Sequence, residues 1–130
     1  VHANCVYVAP GDWHLRVAGR WPHVRFKLEK GPRVNFVRPS ADVTLNDVAE
    51  IFRDRCIAVV LTGMGCDGSR GVREVKRRGG FVIAQDEATS TVFGMPKAAI
   101  ETGCVDKILP LHMIGQEIIK AVTRKLEVKL

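Results

Sequence analysis

The sequence predicts an α/β fold with a mostly parallel sheet and an antiparallel hairpin near the N-terminus. Three observations predict it. Apolar runs at 57–61 ("IAVVL") and 81–84 ("FVIA") and a further strand at 105–109 ("VDKIL") alternate with segments of helical periodicity, which implies βαβ units with right-handed crossovers. The first third instead carries period-two patterning. A chain of 130 residues, 46% apolar and 26% charged, can bury one core and is too short for two.

The elements follow in order. "CVYVA" (5–9) alternates apolar and small residues in the manner of a strand and stops at the turn sequence "PGD". "WHLRVA" and "HVRFKL" alternate on either side of Gly19 and form the hairpin. "KGPRVNFVRP" holds two prolines and is an irregular connection. Ser40 is placed to cap a helix running to about Phe52, with Leu45, Val48, Ala49 and Phe52 on one face. "IAVVL" is continuous enough for a strand buried on both faces. A glycine loop then enters a basic helix with Val72 and Val75 turned inward, ending at Gly79-Gly80. After "FVIA" and the polar loop "QDEATSTVF", the segment "GMPKAAIETG" has Pro96 in a first helical turn and Gly103 past its end. Ile114, Ile118, Val122 and Leu126 trace one stripe on a last, core-packing helix.

Composition narrows the function classes. The net charge is +6, and the densest basic cluster, Arg70, Arg73, Lys76, Arg77 and Arg78, holds a single acid, Glu74. Such a face suits an acidic partner or simple solvation. No aromatic residue is interleaved with it, so the stacking used by single-strand binders is missing and nucleic acid is not expected. No run approaches the ~20 apolar residues of a membrane span, and no signal-peptide pattern is present. Cys5, Cys56, Cys66 and Cys104 include no C-x-x-C pair, which points to reduced cytosolic thiols and away from zinc or a disulfide scaffold. Cys66 lies near a helix start that would lower its pKa, although a small side chain that merely fits there is the plainer reading. The chain begins at Val1 rather than Met, as a piece of a longer protein would.

The stretch "VVLTGMGCDGSRG" (59–71) admits two chemistries. Gly63, Gly65 and Gly68 spell G-x-G-x-x-G between a strand and a helix, with Asp86 about 20 residues on, as a dinucleotide site would require. Against that, Asp67 would set a second anion where the pyrophosphate must sit. The later acid also falls past Gln85, and only about 45 residues follow it, too few for the second half of such a fold. Alternatively, the glycine turn presents Asp67 rigidly at the strand's carboxyl end, where ligands gather in these sheets. There a carboxylate can fix a histidine tautomer during acyl transfer, and free N–H groups near Met64 and Gly65 can hold an oxyanion. An aspartate that merely caps the basic helix has the same spacing.

The blocks "VYVAPGDWHL", "RPSADV", "VVLTGMGCDGSRGV" and "GGFVIAQDEATSTVFGMPKAAIETGCVDKILPL" resemble, in order, the chemotaxis protein-glutamate methylesterases. The resemblance implies a doubly wound α/β sheet with helices on both faces. It implies hydrolysis of γ-glutamyl methyl esters on chemoreceptors, with amidase action on some glutamines, by a Ser-His-Asp triad. Asp67 matches the triad aspartate. The family's serine, in a glycine-rich turn, and its histidine, in a His-Met-Pro segment, lie upstream of the matching region. No G-x-S-x-G occurs here, and none of His2, His14, His23 and His112 precedes Met-Pro. The expectation is therefore that residues 1–130 are the C-terminal part of a catalytic domain, an incomplete domain that carries one triad member and is inactive alone.

Further expectations follow from the resemblance. His14 is a hydrogen-bonded structural histidine rather than a substitute base, and Val37 stands where some relatives carry His. No cofactor or metal is needed, and the location is cytoplasmic. Partners are methyl-accepting chemoreceptors, docked on the basic helix face, and a response-regulator receiver domain in the full-length protein. An unpaired sheet edge favours self-association. A non-enzymatic protein-binding domain on the same fold is the alternative; the less expected one is a dinucleotide-binding βαβ unit.

Overall fold

The structure is a computed structural model that describes residues 1–127. Its hairpin joins β1 (His14–Arg20) to β2 (His23–Glu29) with His14 opposite Glu29 and Arg20 opposite His23. The tight tip, Trp21–Pro22, is only two residues long, which fixes that register. Helix α1 (Ala41–Phe52) and a 3₁₀ turn, Arg53–Arg55, follow. Three parallel strands, β3 (Ile57–Val60), β4 (Phe81–Gln85) and β5 (Lys107–Leu109), lie in the order β3-β4-β5. Helices α2 (Ser69–Arg77) and α3 (Met95–Glu101) make the two crossovers, and α4 (Leu111–Glu127) closes the chain.

The core explains the patterning. Ala58, Val60 and Val82 project from the sheet onto Val72 and Val75 of α2 and Ala99 of α3, all buried. The predicted face of α1, Leu45, Val48, Ala49 and Phe52, completes this cluster. Strand residues alternate in direction, so Ile83, fully buried, points to the opposite face. There α4 lies across β4, with the Arg124 guanidinium 5.4 Å from the Phe81 ring centroid. Helices therefore cover both faces. The hairpin is a separate sheet, held on α1 by Thr44 Oγ1 donating to the Leu15 carbonyl and Val17 N–H donating to Asp47. Arg16 adds a two-pronged bond to the same carboxylate at 2.7 and 2.9 Å.

Two expectations are corrected. "CVYVA" is not a strand: it meets no ladder partner among the described residues, and Val6 is 93% exposed. Alternation alone does not make a strand where no neighbour takes its N–H and C=O groups. On α4, Ile114 and Ala121 are buried and Ile118 is half-buried, while Val122 and Leu126 are exposed. The buried stripe steps by four and then three residues, and the straight i+4 series drifts off it.

The close approach of α1 and α2 depends on Gly71, where an added Cβ would lie 2.5 Å from Leu45 Cβ. Gly71→Ala should destabilise the fold by about 1–3 kcal/mol through this overlap, measured by urea unfolding. An unchanged midpoint would show that the helices can separate freely.

Candidate active site

The loops at the carboxyl ends of β3 and β4 are locked together. Gln85, fully buried, accepts from Thr62 N–H at 2.8 Å and donates to the Thr89 carbonyl at 2.7 Å. Gly63 donates to the Val92 carbonyl, and its own carbonyl accepts from the N–H groups of Gly94 and Met95. The fit is close: a Cβ at Gly94 would come within 2.7 Å of the Gly63 oxygen and 3.0 Å of the Gly65 nitrogen. The two sequence blocks around residues 62–65 and 92–95 are thus one packed unit, which holds the turn ahead of Asp67.

Asp67 is 7% exposed and sits against a helix other than its own. Its carboxylate accepts from Ser40 Oγ (2.6 Å), Asn35 Nδ2 (2.8 Å) and the N–H groups of Ala41 (2.5 Å) and Asp42 (3.4 Å). Asp67 therefore caps α1. In return Asp42, in the first turn of α1, accepts from Gly71 N–H at 2.6 Å and caps α2. Each helix receives its cap from the other, because Gly68 has no side chain and the Ser40 hydroxyl is spent on Asp67. Asn35 Nδ2 donates to both acids, at 2.7 Å to Asp42 and 2.8 Å to Asp67. Ser40 thus stands at the helix start, as the sequence suggests, but not as a side-chain cap. Nor does Asp67 cap the basic helix.

This setting fixes the charge on Asp67. Burial pushes its carboxyl pKa up, but the bonds from Ser40, Asn35, Ala41 and Asp42 outweigh that and hold it below the ordinary value. The positive end of α1 acts in the same direction. The carboxylate opens onto a crevice of about 380 Å³ whose lining is mostly apolar, including Val37, Pro39, Met64 and Met95. In such surroundings a further donor brought to the carboxylate would be bound tightly.

The other singled-out residues fall as follows. Met64 is 85% exposed at the crevice, and Gly65 has φ +91°. Among the described residues, no acceptor is bonded to the N–H groups of Met64, Gly65 and Cys66. His14 is buried, with Nε2 2.7 Å from the Pro32 carbonyl and Nδ1 accepting from Ser40 N–H at 3.2 Å. That pairing assigns a neutral ring with its proton on Nε2, a structural role. Val37 lines the crevice and offers no polar atom there. Cys66 is exposed, whereas burial pushes the Cys56 thiol up to about 11. Asp86 is engaged in its own loop by Thr89 N–H and hydroxyl, and the start of α2 already holds the Asp42 carboxylate. The dinucleotide geometry is thereby filled from within the chain. On α2, Glu74 pairs with Arg77 and Arg78, and Lys76 pairs with Asp106. Sequence reasoning missed Asn35 and Asp42, which lie 32 and 25 positions from Asp67. Only the "RPSADV" block pointed toward that region.

The family model for CheB methylesterase matches residues 1–118. The chain belongs to the CheB methylesterase family. It is 51% identical over 122 residues to a protein-glutamate methylesterase/protein-glutamine glutaminase of Pyrococcus horikoshii, covering 94% of this chain and 33% of that protein. It is 49% identical over 110 residues to the protein-glutamate methylesterase FrzG of Myxococcus xanthus, covering 85% of this chain and 32% of that protein. The fold superposes on the Thermotoga maritima CheB methylesterase catalytic domain with a TM-score of 0.85 at 48% identity, covering 88% of this chain and 60% of that one. The chain spans about a third of the length of these methylesterase relatives and matches their C-terminal part. No helix among the described residues is long and apolar enough to cross a membrane.

A depressed carboxyl pKa ties stability to pH. The folded chain disfavours protonating Asp67, so its contribution is full above the ordinary value of 3.8 and is lost as pH falls through and below it. Urea unfolding at a series of pH values should show the parent chain and Asp67→Asn converging below about pH 4. A pH-independent gap would show that the carboxylate is not held as described.

Proposed function

We propose that residues 1–130 form the C-terminal part of a protein-glutamate methylesterase catalytic domain, in which Asp67 is the acid of a Ser-His-Asp triad. The reaction is hydrolysis of γ-glutamyl methyl esters on chemoreceptors, with deamidation of glutamines as a second activity, in keeping with the relatives' names. The observation that carries the reading is the state of Asp67: ionised, buried and gripped by four donors, yet facing a crevice.

From that geometry the roles follow. Among the described residues Oδ2 accepts only from Ala41 N–H, so it retains capacity for one more donor. A histidine Nδ1–H supplied by upstream polypeptide would take that position. The carboxylate would then fix the tautomer that leaves Nε2 free to accept the serine proton, and would stabilise the imidazolium formed. The unbonded N–H groups of Met64 and Gly65 would donate to the oxyanion of the tetrahedral intermediate. Serine and histidine must both come from outside residues 1–130, as must any receiver domain. The α2 face, where Arg73 has no acid partner among the described residues, supports docking of a glutamate-rich receptor segment.

In the full-length enzyme, Asp67→Asn should lower kcat for methanol release from methylated receptor by about 10³–10⁴-fold with little change in KM. Residues 1–130 alone should release none. Full activity of Asp67→Asn would remove Asp67 from the triad, and full activity of residues 1–130 alone would show that the serine and histidine do not come from outside them. Charge reversal at Arg73 and Arg77 should raise KM at low salt and leave kcat unchanged; an unaltered KM would exclude that docking face.

A further inference from the structure

A second groove, of about 670 Å³, lies between the hairpin tip and the C-terminal end of α1, and none of its lining residues borders the Asp67 crevice. Val17, Ala18 and Ile51 give it an apolar floor. Arg20, Arg53 and Arg55 stand around it, and among the described residues none of the three is ion-paired. The acids are fewer: Asp47 is already held by Arg16 and Val17 N–H, which leaves Glu50 alone.

Two features show that these cations are placed rather than scattered. The Arg55 guanidinium lies 4.8 Å from the Trp21 ring centroid, and Trp21 in turn packs edge-on against Phe52 at 5.9 Å. Stacking removes rotamer freedom in advance, so less is lost when an anion binds. Arg53 has φ +50° where α1 ends, a position at which glycine is the comfortable residue. The helix stop alone would be better served by glycine.

We infer that this groove docks an acidic peptide segment of a partner protein, its carboxylates on Arg20, Arg53 and Arg55 and an apolar side chain on the floor between them. Guanidinium forks match carboxylates in pairs, and the apolar floor suits a side chain rather than a bare ion. A bilayer surface cannot enter a concave groove. A nucleic acid strand would find the Trp21 face occupied by Arg55 and a repelling carboxylate in Glu50.

The test is fluorescence anisotropy with a fluorescein-labelled decapeptide alternating glutamate and leucine, titrated with the chain at low salt. Saturable binding is expected, weakened about tenfold or more in Arg20→Ser/Arg55→Ser and unchanged in Lys97→Ser/Lys107→Ser, two exposed lysines away from both basic faces. Arg20→Glu, which leaves the Trp21 stack intact, should weaken binding in the same direction, so the result does not rest on one variant folding. In a Trp13→Phe background the peptide should shift Trp21 emission, and a lysine–leucine counterpart should not. Absence of binding overturns the inference, as does loss on the Lys97→Ser/Lys107→Ser variant alone. So does tighter, arginine-dependent binding of phosphatidylserine vesicles or an oligothymidylate.

Discussion

The exchange of caps between α1 and α2 is the constraint on which the rest of the structure depends. Asp67 precedes α2 and closes the start of α1, while Asp42 belongs to α1 and closes the start of α2. Each helix begins with N–H groups that need an acceptor, and neither has one of its own in place. Two buried carboxylates would repel one another without the Asn35 amide donating to both and the two positive helix ends beneath them. Gly71 completes the arrangement by letting the helices approach closely enough for the exchange.

Around this pair the remaining elements act as supports. The sheet fixes the strand ends, Gln85 ties the loop after β3 to the loop after β4, and Gly94 packs under the turn that leads to Asp67. On the far side His14 accepts the Ser40 N–H and anchors to the Pro32 carbonyl, so the residue that hydrogen-bonds Asp67 is itself held at its backbone. The hairpin, clamped to α1 through Asp47, belongs to the same chain of support.

Much of this was legible in the sequence, and the reasons are local. Strand and helix order, the apolar face of α1, the inward Val72 and Val75 and the presence of the hairpin all follow from periodicity and turn residues, which act over a few positions, whereas the hairpin turns at Trp21–Pro22 with Gly19 paired inside β1. Asp67 stood out because three glycines surround it. What escaped is long-range. Asn35 reads as a loop residue and Asp42 as an ordinary first-turn acid, until folding brings residues near 40 against residues near 70. "CVYVA" alternates like a strand, yet pairing is a property of neighbours, which local pattern does not contain. The α4 stripe went astray because one apolar series can be drawn along a helix in two phases, and only packing selects between them.

The shared capping also has a kinetic meaning. The contacts that anchor Asp67 join segments 25 to 32 positions apart, so they close only when α1 and α2 dock. Before that event the aspartate is an ordinary solvated side chain with no helix end to hold it. Maturation of the acid and completion of the two-helix layer are thus a single step, and a half-assembled chain cannot display one without the other.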